Sequence, residues 1–295
     1  MTPDEKYNDE LNQQELEHIH SAMKGMTVPP SSCSKEDAWN LIMQSVVERE
    51  NQAKVVKLFN AKFWLAVAAS VLIFIVAGWG YARFSSIEQY CPKGYVSDVL
   101  LPDGSQIKLN ADSKVKYPKF FNLVGRKINL EGEAFFKVNP GDRFTVTDSK
   151  NRVVEVVGTE FNVNTRNQNY SVVCYQGTVN VSIPNNKKVQ LDKGKSLELE
   201  NKQLKVENAK VDSIATPAWT RGEFYFDRAK LSDVFKELER QFNITIQTDG
   251  VDLNDRTYTG FFRNDSLIEA LNLVALPMGF SYQFNADSTV VKLKN

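Results

Sequence analysis

The sequence predicts four regions in series: a short α-helical segment, one transmembrane helix, an all-β domain and a small α+β module. Three observations carry this. The run Phe63 to Ala82, "FWLAVAASVLIFIVAGWGYA", holds no charged residue. From about Val96 to Glu207, short strand-like runs alternate with turn residues and the helical period disappears. Beyond residue 218 helical and strand patterns interleave. The expected boundaries are 1–62, 63–82, a linker 83–95, 96–208, a linker 209–218 and 219–295.

The apolar run comes first because it divides everything else. At 1.5 Å rise per residue it reaches about 30 Å, the thickness of a bilayer core. Phe63 and Trp64 at one end, and Trp79 and Tyr81 at the other, fit an aromatic belt. Its length, and the lack of any polar face beyond Ser70, argue against a buried soluble helix. The sixty or so residues before it argue against a signal peptide. Arg49, Lys54, Lys57 and Lys62 precede the run, while Arg83 and Lys93 follow it. That bias places the N-terminus in the cytoplasm and the larger C-terminal part outside the inner membrane.

Residues 1–62 read as two amphipathic helices. Leu16, Ile19, Met23 and Met26 recur at helical spacing before "GMTVPPSS" stops the pattern. The second helix opens at "SKED", where Ser34 caps and Asp37 returns the bond. Its stripe is Ala38, Trp39, Ile42, Met43, Val46 and Val47. So short a segment makes a poor independent core. The two stripes either pack on each other or bury against a partner, as helix-in-groove ligands do. The partner reading is favoured, with Trp39, Ile42, Met43 and Val46 as the contact.

Composition narrows the chemistry. Thirty-six basic and thirty-six acidic residues leave no net charge, against bulk nucleic-acid binding. The two histidines, His18 and His20, alternate and would lie on different faces of a helix, so they would not easily share a metal. Neither a Gly-x-Ser-x-Gly elbow nor H-E-x-x-H is present, and no histidine follows the apolar run. An enzyme is the weakest reading, and no cofactor or metal is expected. Glu131 and Glu133 read as same-face residues of a strand or turn. Cys91 and Cys174 both lie beyond the run, where a disulfide and two free thiols fit the sequence equally.

The β-domain is marked by its turns. "VSDVLLPDGSQIKLN" gives two strands around Asp103-Gly104, and "KINLEGEAFFKVNP" turns at Glu131-Gly132. Further turns fall at Gln176-Gly177, Asn185-Asn186, Lys193-Gly194 and Asn201-Lys202. About a dozen strands result, as a sandwich or a solenoid-like stack. In "VVEVVGTEFNVN" two alternating runs flank Gly158-Thr159, where a bulge or turn is the simple reading. After "NAKVDSIATP" the order β-α-β-β-α-β-β gives a compact α+β module. Its helices are "LSDVFKELERQF" and "SLIEALNLVA", the second capped by Ser266 and Glu269. Two strands, "FYFD" and "VVKLK", are candidate open edges for strand addition, with Lys292 and Lys294 on the latter. The alternative is that both are interior strands.

The stretches "LPDGSQIKLNADSKVKYP", "GEAFFKV", "VVGTEFNVN" and "QGTVNVS" resemble the FecR family of membrane-bound anti-sigma factors, the iron-dicitrate sensor type. The C-terminal module is similar to the small domain shared by secretins and TonB-dependent receptors. The N-terminal part matches in layout only. The resemblance implies a periplasmic β-domain and a relay across two membranes. A TonB-dependent outer-membrane transporter would contact the C-terminal part through its periplasmic signalling domain. Residues 1–62 would hold or release an extracytoplasmic-function sigma factor, controlling genes for iron-chelate or glycan uptake. An intramembrane protease would suit transmission through one span. The resemblance also places a self-cleavage bond at Gly158-Thr159, with Thr159 Oγ attacking the Gly158 carbonyl. The same modules would also serve an inner-membrane docking component of an envelope or secretion assembly.

Overall fold

The computed structural model describes Glu17, His20, Ser21, Lys24 and residues 34–51, 61–166, 170–184, 188–200, 203–209, 216–248, 250–253 and 255–294. Two compact units divide the chain, 1–72 and 73–295.

The first unit contains α1 (Lys35–Asn51) and the start of α2 (Ala61–Phe84). Ser34 begins α1: its Oγ accepts from the Asp37 amide at 3.2 Å and donates to Asp37 Oδ2 at 2.8 Å. Asp37 thus answers the hydroxyl rather than the Ser34 amide. Of the expected earlier helix Glu17, His20 and Ser21 are described, and they are helical; Leu16, Ile19, Met23 and Met26 lie outside the described residues, as does His18. Helix α2 is long and apolar enough over Phe63–Phe84 to cross a membrane, and none of its apolar window is buried. A core helix of a soluble fold would be buried instead. The hydroxyl of Ser70 donates to the Val67 carbonyl at 2.8 Å, so its polar group is met within the helix.

In the second unit β1 (Ser86–Cys91) begins two residues after α2 ends. The stretch 83–95, expected to be a linker, is therefore structured: β1 pairs along its whole length with β4 (Ser113–Pro118). Its alternation is weak, with only Cys91 buried, because it is an edge strand. One seven-stranded sheet runs β1, β4, β5 (Arg126–Glu131), β7 (Phe144–Thr147), β8 (Val153–Val156), β11 (Thr178–Ser182), β12 (Val189–Asp192). The facing sheet runs β14 (Gln203–Asn208), β13 (Lys195–Glu200), β10 (Tyr170–Gln176), β9 (Glu160–Asn164), β6 (Glu133–Lys137), β3 (Gln106–Leu109), β2 (Ser97–Leu100). Both sheets fill in chain order, so the chain winds between them as it advances. The architecture is a sandwich with the winding of a stack. Because β6 crosses to the other sheet, β5 and β7 meet in parallel. Between the sheets lies one apolar core, including Ile107, Leu130, Phe136, Phe144, Phe161 and Leu197.

Glu131 and Glu133 do not share a face. Glu131 ends β5 and pairs with Lys114 at 3.3 Å on the exterior, whereas Glu133 starts β6 in the other sheet and is buried. Cys91 and Cys174 are both buried free thiols, one in each sheet. The turn residues Asn185-Asn186 and Asn201-Lys202, and residues 210–215 of the expected second linker, lie outside the described residues.

The C-terminal region is α+β. A 3₁₀ turn (Ala218–Arg221) leads into β15 (Glu223–Lys230), α3 (Leu231–Phe242), β16 (Thr245–Gln247), β17 (Thr257–Arg263), α4 (Leu267–Val274), β18 (Ser281–Phe284) and β19 (Val290–Lys294). The apolar face of α3 buries Leu231, Val234, Phe235 and Leu238. Ser266 caps α4, its Oγ accepting from the Glu269 amide at 3.3 Å. This region does not close a core by itself. Its core is continuous with Phe135 and Tyr175, which project from the outer face of the sandwich and meet edge to face at 5.7 Å.

Candidate functional site

Strand β6 explains how the two parts join. Glu133, Ala134, Phe135 and Phe136 are all buried. A strand with one wet face alternates. Here Ala134 and Phe136 belong to the sandwich core, while Phe135 belongs to the core shared with the C-terminal region. Neighbouring β9 repeats this, with Asn162 buried between Phe161 and Val163.

A polar network is sealed into this junction. Glu133 Oε1 accepts from Asn162 Nδ2 at 2.9 Å and its Oε2 from Asn110 Nδ2 at 2.8 Å. Asn162 Oδ1 accepts from Trp219 Nε1 at 3.1 Å, and Asn110 Oδ1 from Gln241 Nε2 at 2.8 Å. Gln241 also donates to Glu237 Oε1 at 2.8 Å. Arg166, just after β9, holds both Glu237 oxygens at 3.1 and 3.0 Å, and donates to Ser113 Oγ and the Ala111 carbonyl. Its distance to Glu133 is longer, 3.8 Å. Arg240 closes the set on Glu237 Oε2. Two carboxylates and two guanidinium groups thus meet where the sandwich touches α3.

The two acids respond oppositely to this setting. Burial pushes the Glu133 carboxyl above the ordinary glutamate range; Arg166 and the two asparagine amides offset only part of that, and Glu237 adds to it. Burial acts on Glu237 in the same direction. There, Arg166, Arg240 and the hydrogen bonds from Gln241 and Arg240 outweigh it and hold the carboxyl below the ordinary range. The physical difference is the closer approach of Arg166 to Glu237. A buried ionic cluster of this kind fixes how two surfaces meet more than it adds stability. Of its members only Glu133 is named from sequence, and as a same-face residue of a strand or turn rather than part of a cluster. The available signals were the consecutive aromatics in "GEAFF" and the polar pair Glu237 and Gln241 beside the apolar stripe of α3.

Gly158 and Thr159 lie elsewhere. They form the crossing from β8 to β9, between the sheets, rather than the middle of a strand. Gly158 has no left-handed φ. The need for glycine is spatial instead: a Cβ would lie 2.9 Å from Pro140 Cα. Thr159 is buried, and its Oγ1 donates to the Thr178 carbonyl at 3.0 Å. The next crossing, β10 to β11, presses on the same bond. Gly177 has φ +82°, and a Cβ there would lie 3.1 Å from the Gly158 carbonyl oxygen and 3.0 Å from Thr159 Oγ1. Phe144↔Val156 and Arg126↔Phe144 pairings put this crossing at the same end of the sheet as Ser86 and Pro118.

On α1, Trp39, Ile42 and Met43 are exposed, Trp39 at 60%. The side chain of Val46 lies outside those described. Lys292 and Lys294 are not on an open edge. Their strand β19 is the middle one of three, parallel to β16 and antiparallel to β18, so its backbone is paired on both sides through Lys292, while Lys294 is paired with β18 alone. The other candidate, Phe224 to Asp227 on β15, is paired only with β17 among the described residues. It borders a cleft of about 920 Å³ whose opposite wall includes Asn164, Ser171 and Tyr175. Among the described residues no group of three or more metal-ligating side chains occurs.

Comparison with protein families matches residues 92–180 to FecR protein and residues 223–291 to FecR, C-terminal. The chain belongs to the FecR family. Similar solved structures include two crystal structures of a candidate anti-sigma factor from Parabacteroides distasonis. Each is 28% identical to this FecR-family chain, covering 71% of it and 99% of the other, with TM-scores of 0.64 and 0.63. No curated protein matches. The two family regions fall on either side of the sealed junction. Together with these neighbours, the family supports an anti-sigma, signal-transducing role, which implies a sigma factor as partner.

Proposed function

We propose that this chain is a single-pass inner-membrane anti-sigma factor with its N-terminus in the cytoplasm. It relays a signal from a TonB-dependent outer-membrane transporter to an extracytoplasmic-function sigma factor, and so controls uptake genes for an iron chelate or a glycan. The observation that carries this is α1: Trp39, Ile42 and Met43 share one face and stand exposed, just before a membrane-length helix. A helix face with uncovered aromatic and methionine side chains suits a protein groove. On the far side, the open edge of β15 offers backbone groups for an added strand from the transporter's signalling domain. Gly158-Thr159 is the proposed self-cleavage bond, and an intramembrane protease would then release the N-terminal part.

The test is affinity capture of the tagged full-length protein from native cells, compared with a Trp39→Ala/Ile42→Ala variant. A sigma factor captured by the first and lost from the second is expected. Capture of envelope-assembly proteins alone, equally by both, would favour the docking-component reading.

A further inference from the structure

The turn after β4 sits against the end of the membrane helix. Ser85 is the only residue between α2 and β1, and its carbonyl accepts from the Lys119 amide at 2.9 Å. Beside it, Tyr81 in the last turns of α2 meets Phe120 edge to face at 6.2 Å. The turn is held from within by Phe121, which is buried and packs edge to face on Tyr117 and Phe144. Its neighbour Leu123 is 85% exposed, and Phe84 at the helix end is 86% exposed. The turn and the helix end it is bonded to each present a bare apolar side chain, Leu123 and Phe84, with no protein cover.

The turn and the strands that lead into and out of it carry charge of one sign, although Glu88 on β1 stands opposite Lys116 across the ladder. Between Asp112 and Glu131 the sequence has no carboxylate, while Lys114, Lys116, Lys119, Arg126 and Lys127 fall within it. Lys114 and Arg126 are already paired, with Glu131 and Asp103. Arg83, Lys116, Lys119 and Lys127 are exposed and make no ion pair among the described residues. Apolar side chains flanked by free lysines match the headgroup boundary of an anionic bilayer, where the chains enter and the ammonium groups meet phosphates.

Resting on the reading that α2 crosses a bilayer, we infer that turn 119–127 and Phe84 form a lipid contact. It seats the sandwich directly on the anionic leaflet from which α2 emerges. The occupant is lipid because the turn is hydrogen-bonded to Ser85, the residue that directly follows the helix end. That leaves it at the depth of the headgroups.

The experiment uses the full-length chain in phosphatidylglycerol/phosphatidylcholine vesicles. An environment-sensitive fluorophore is placed at Leu123→Cys in a Cys33→Ser background, since Cys91 and Cys174 are buried. A matching probe at Ser149→Cys, in the turn at the opposite end of the sheet, is the control. The expected result is a blue-shifted probe at 123, quenched by nitroxide lipids labelled near the headgroup, and an unquenched probe at 149. Lys119→Glu/Lys127→Glu should cut the anionic-lipid dependence of that quenching by roughly tenfold or more, while leaving flotation with vesicles intact. Vesicle flotation with an unquenched, water-exposed probe at 123 would overturn the inference while leaving the span standing. Protection appearing only after cell extract is added would overturn it in favour of a protein surface. Failure to float would overturn the membrane reading itself.

Discussion

Arg166 and Glu237, 71 residues apart in sequence, form an ion pair in which one nitrogen, Arg166 Nη1, bridges both carboxylate oxygens, with both side chains about nine-tenths buried. This pair joins the β-sandwich to the first helix of the C-terminal region. Direct contacts thus run from that helix to β6 and β9 through Arg166, Glu133 and Asn162.

Arg166→Met should leave Glu237 paired with Arg240 alone and Glu133 with no cation. We expect a loss of about 3–5 kcal/mol in unfolding free energy, as for other broken buried pairs. Urea denaturation of the region beyond the span reads this directly. Hydrogen exchange in α3 should rise with it.

The two carboxylates give opposite pH dependences. Glu237 is depressed, so its contribution is present above the ordinary glutamate pKa and is lost as pH falls through its lowered value. Glu133 is raised, so the folded state holds its proton more tightly, and stability declines as pH climbs from the ordinary value through the raised one. Glu133→Gln should remove that decline and Glu237→Gln should not. Urea midpoints across pH 4 to 8 separate them.

At the sheet crossing, Gly158→Ala should cost about 1–3 kcal/mol because the backbone of Pro140 cannot yield easily. Thr159→Ala removes one buried hydroxyl bond and should cost only about 1 kcal/mol. The proposed cleavage separates the substitutions further. On a denaturing gel the wild type and Thr159→Ser should give two fragments, and Thr159→Ala a single full-length band. A single band from all three would rule the reaction out.

Cys91 and Cys174 should resist thiol reagents in the native protein at pH 8. Burial raises both thiols, Cys174 to about 11, with Asp192 adding to its shift. Arg166 opposes the rise at Cys91. Titration with and without reductant should give equal thiol counts after denaturation, since neither is bridged.

Much of the architecture could be read from local pattern, and the misses share one cause. The run Phe63 to Ala82 is long, apolar and self-contained, so no distant contact could disguise it. The turns at Gly104 and Gly177 are set by their own backbone geometry. By contrast, β1 reads as linker because an edge strand buries little, and only its ladder with β4 makes it a strand. "VVKLK" alternates as an edge would, yet it lies between its hairpin partner β18 and β16, which comes from more than forty residues earlier. Glu133 looked like an ordinary turn carboxylate; its meaning depends on Arg166 and on a helix a hundred residues later. Gly158 carried a recognisable motif, but its steric reason lies in Pro140.

The near absence of a connector between α2 and β1 has a mechanical consequence. A pull along the chain from the membrane enters the sandwich at Ser86, at one end of an edge ladder. Loading a ladder from its end opens it one pair at a time, whereas loading along the strand shears all pairs together. Ser86 faces Pro118, which has no amide hydrogen to hold it, and the Ser85–Lys119 bond is the first restraint met. A load directed across the sheet edge would open β1 pair by pair, starting at Ser86, before it reached the crossing at Gly158 four strands over. On that geometry the six residues of β1 would serve as a reserve of chain length, stored as a strand.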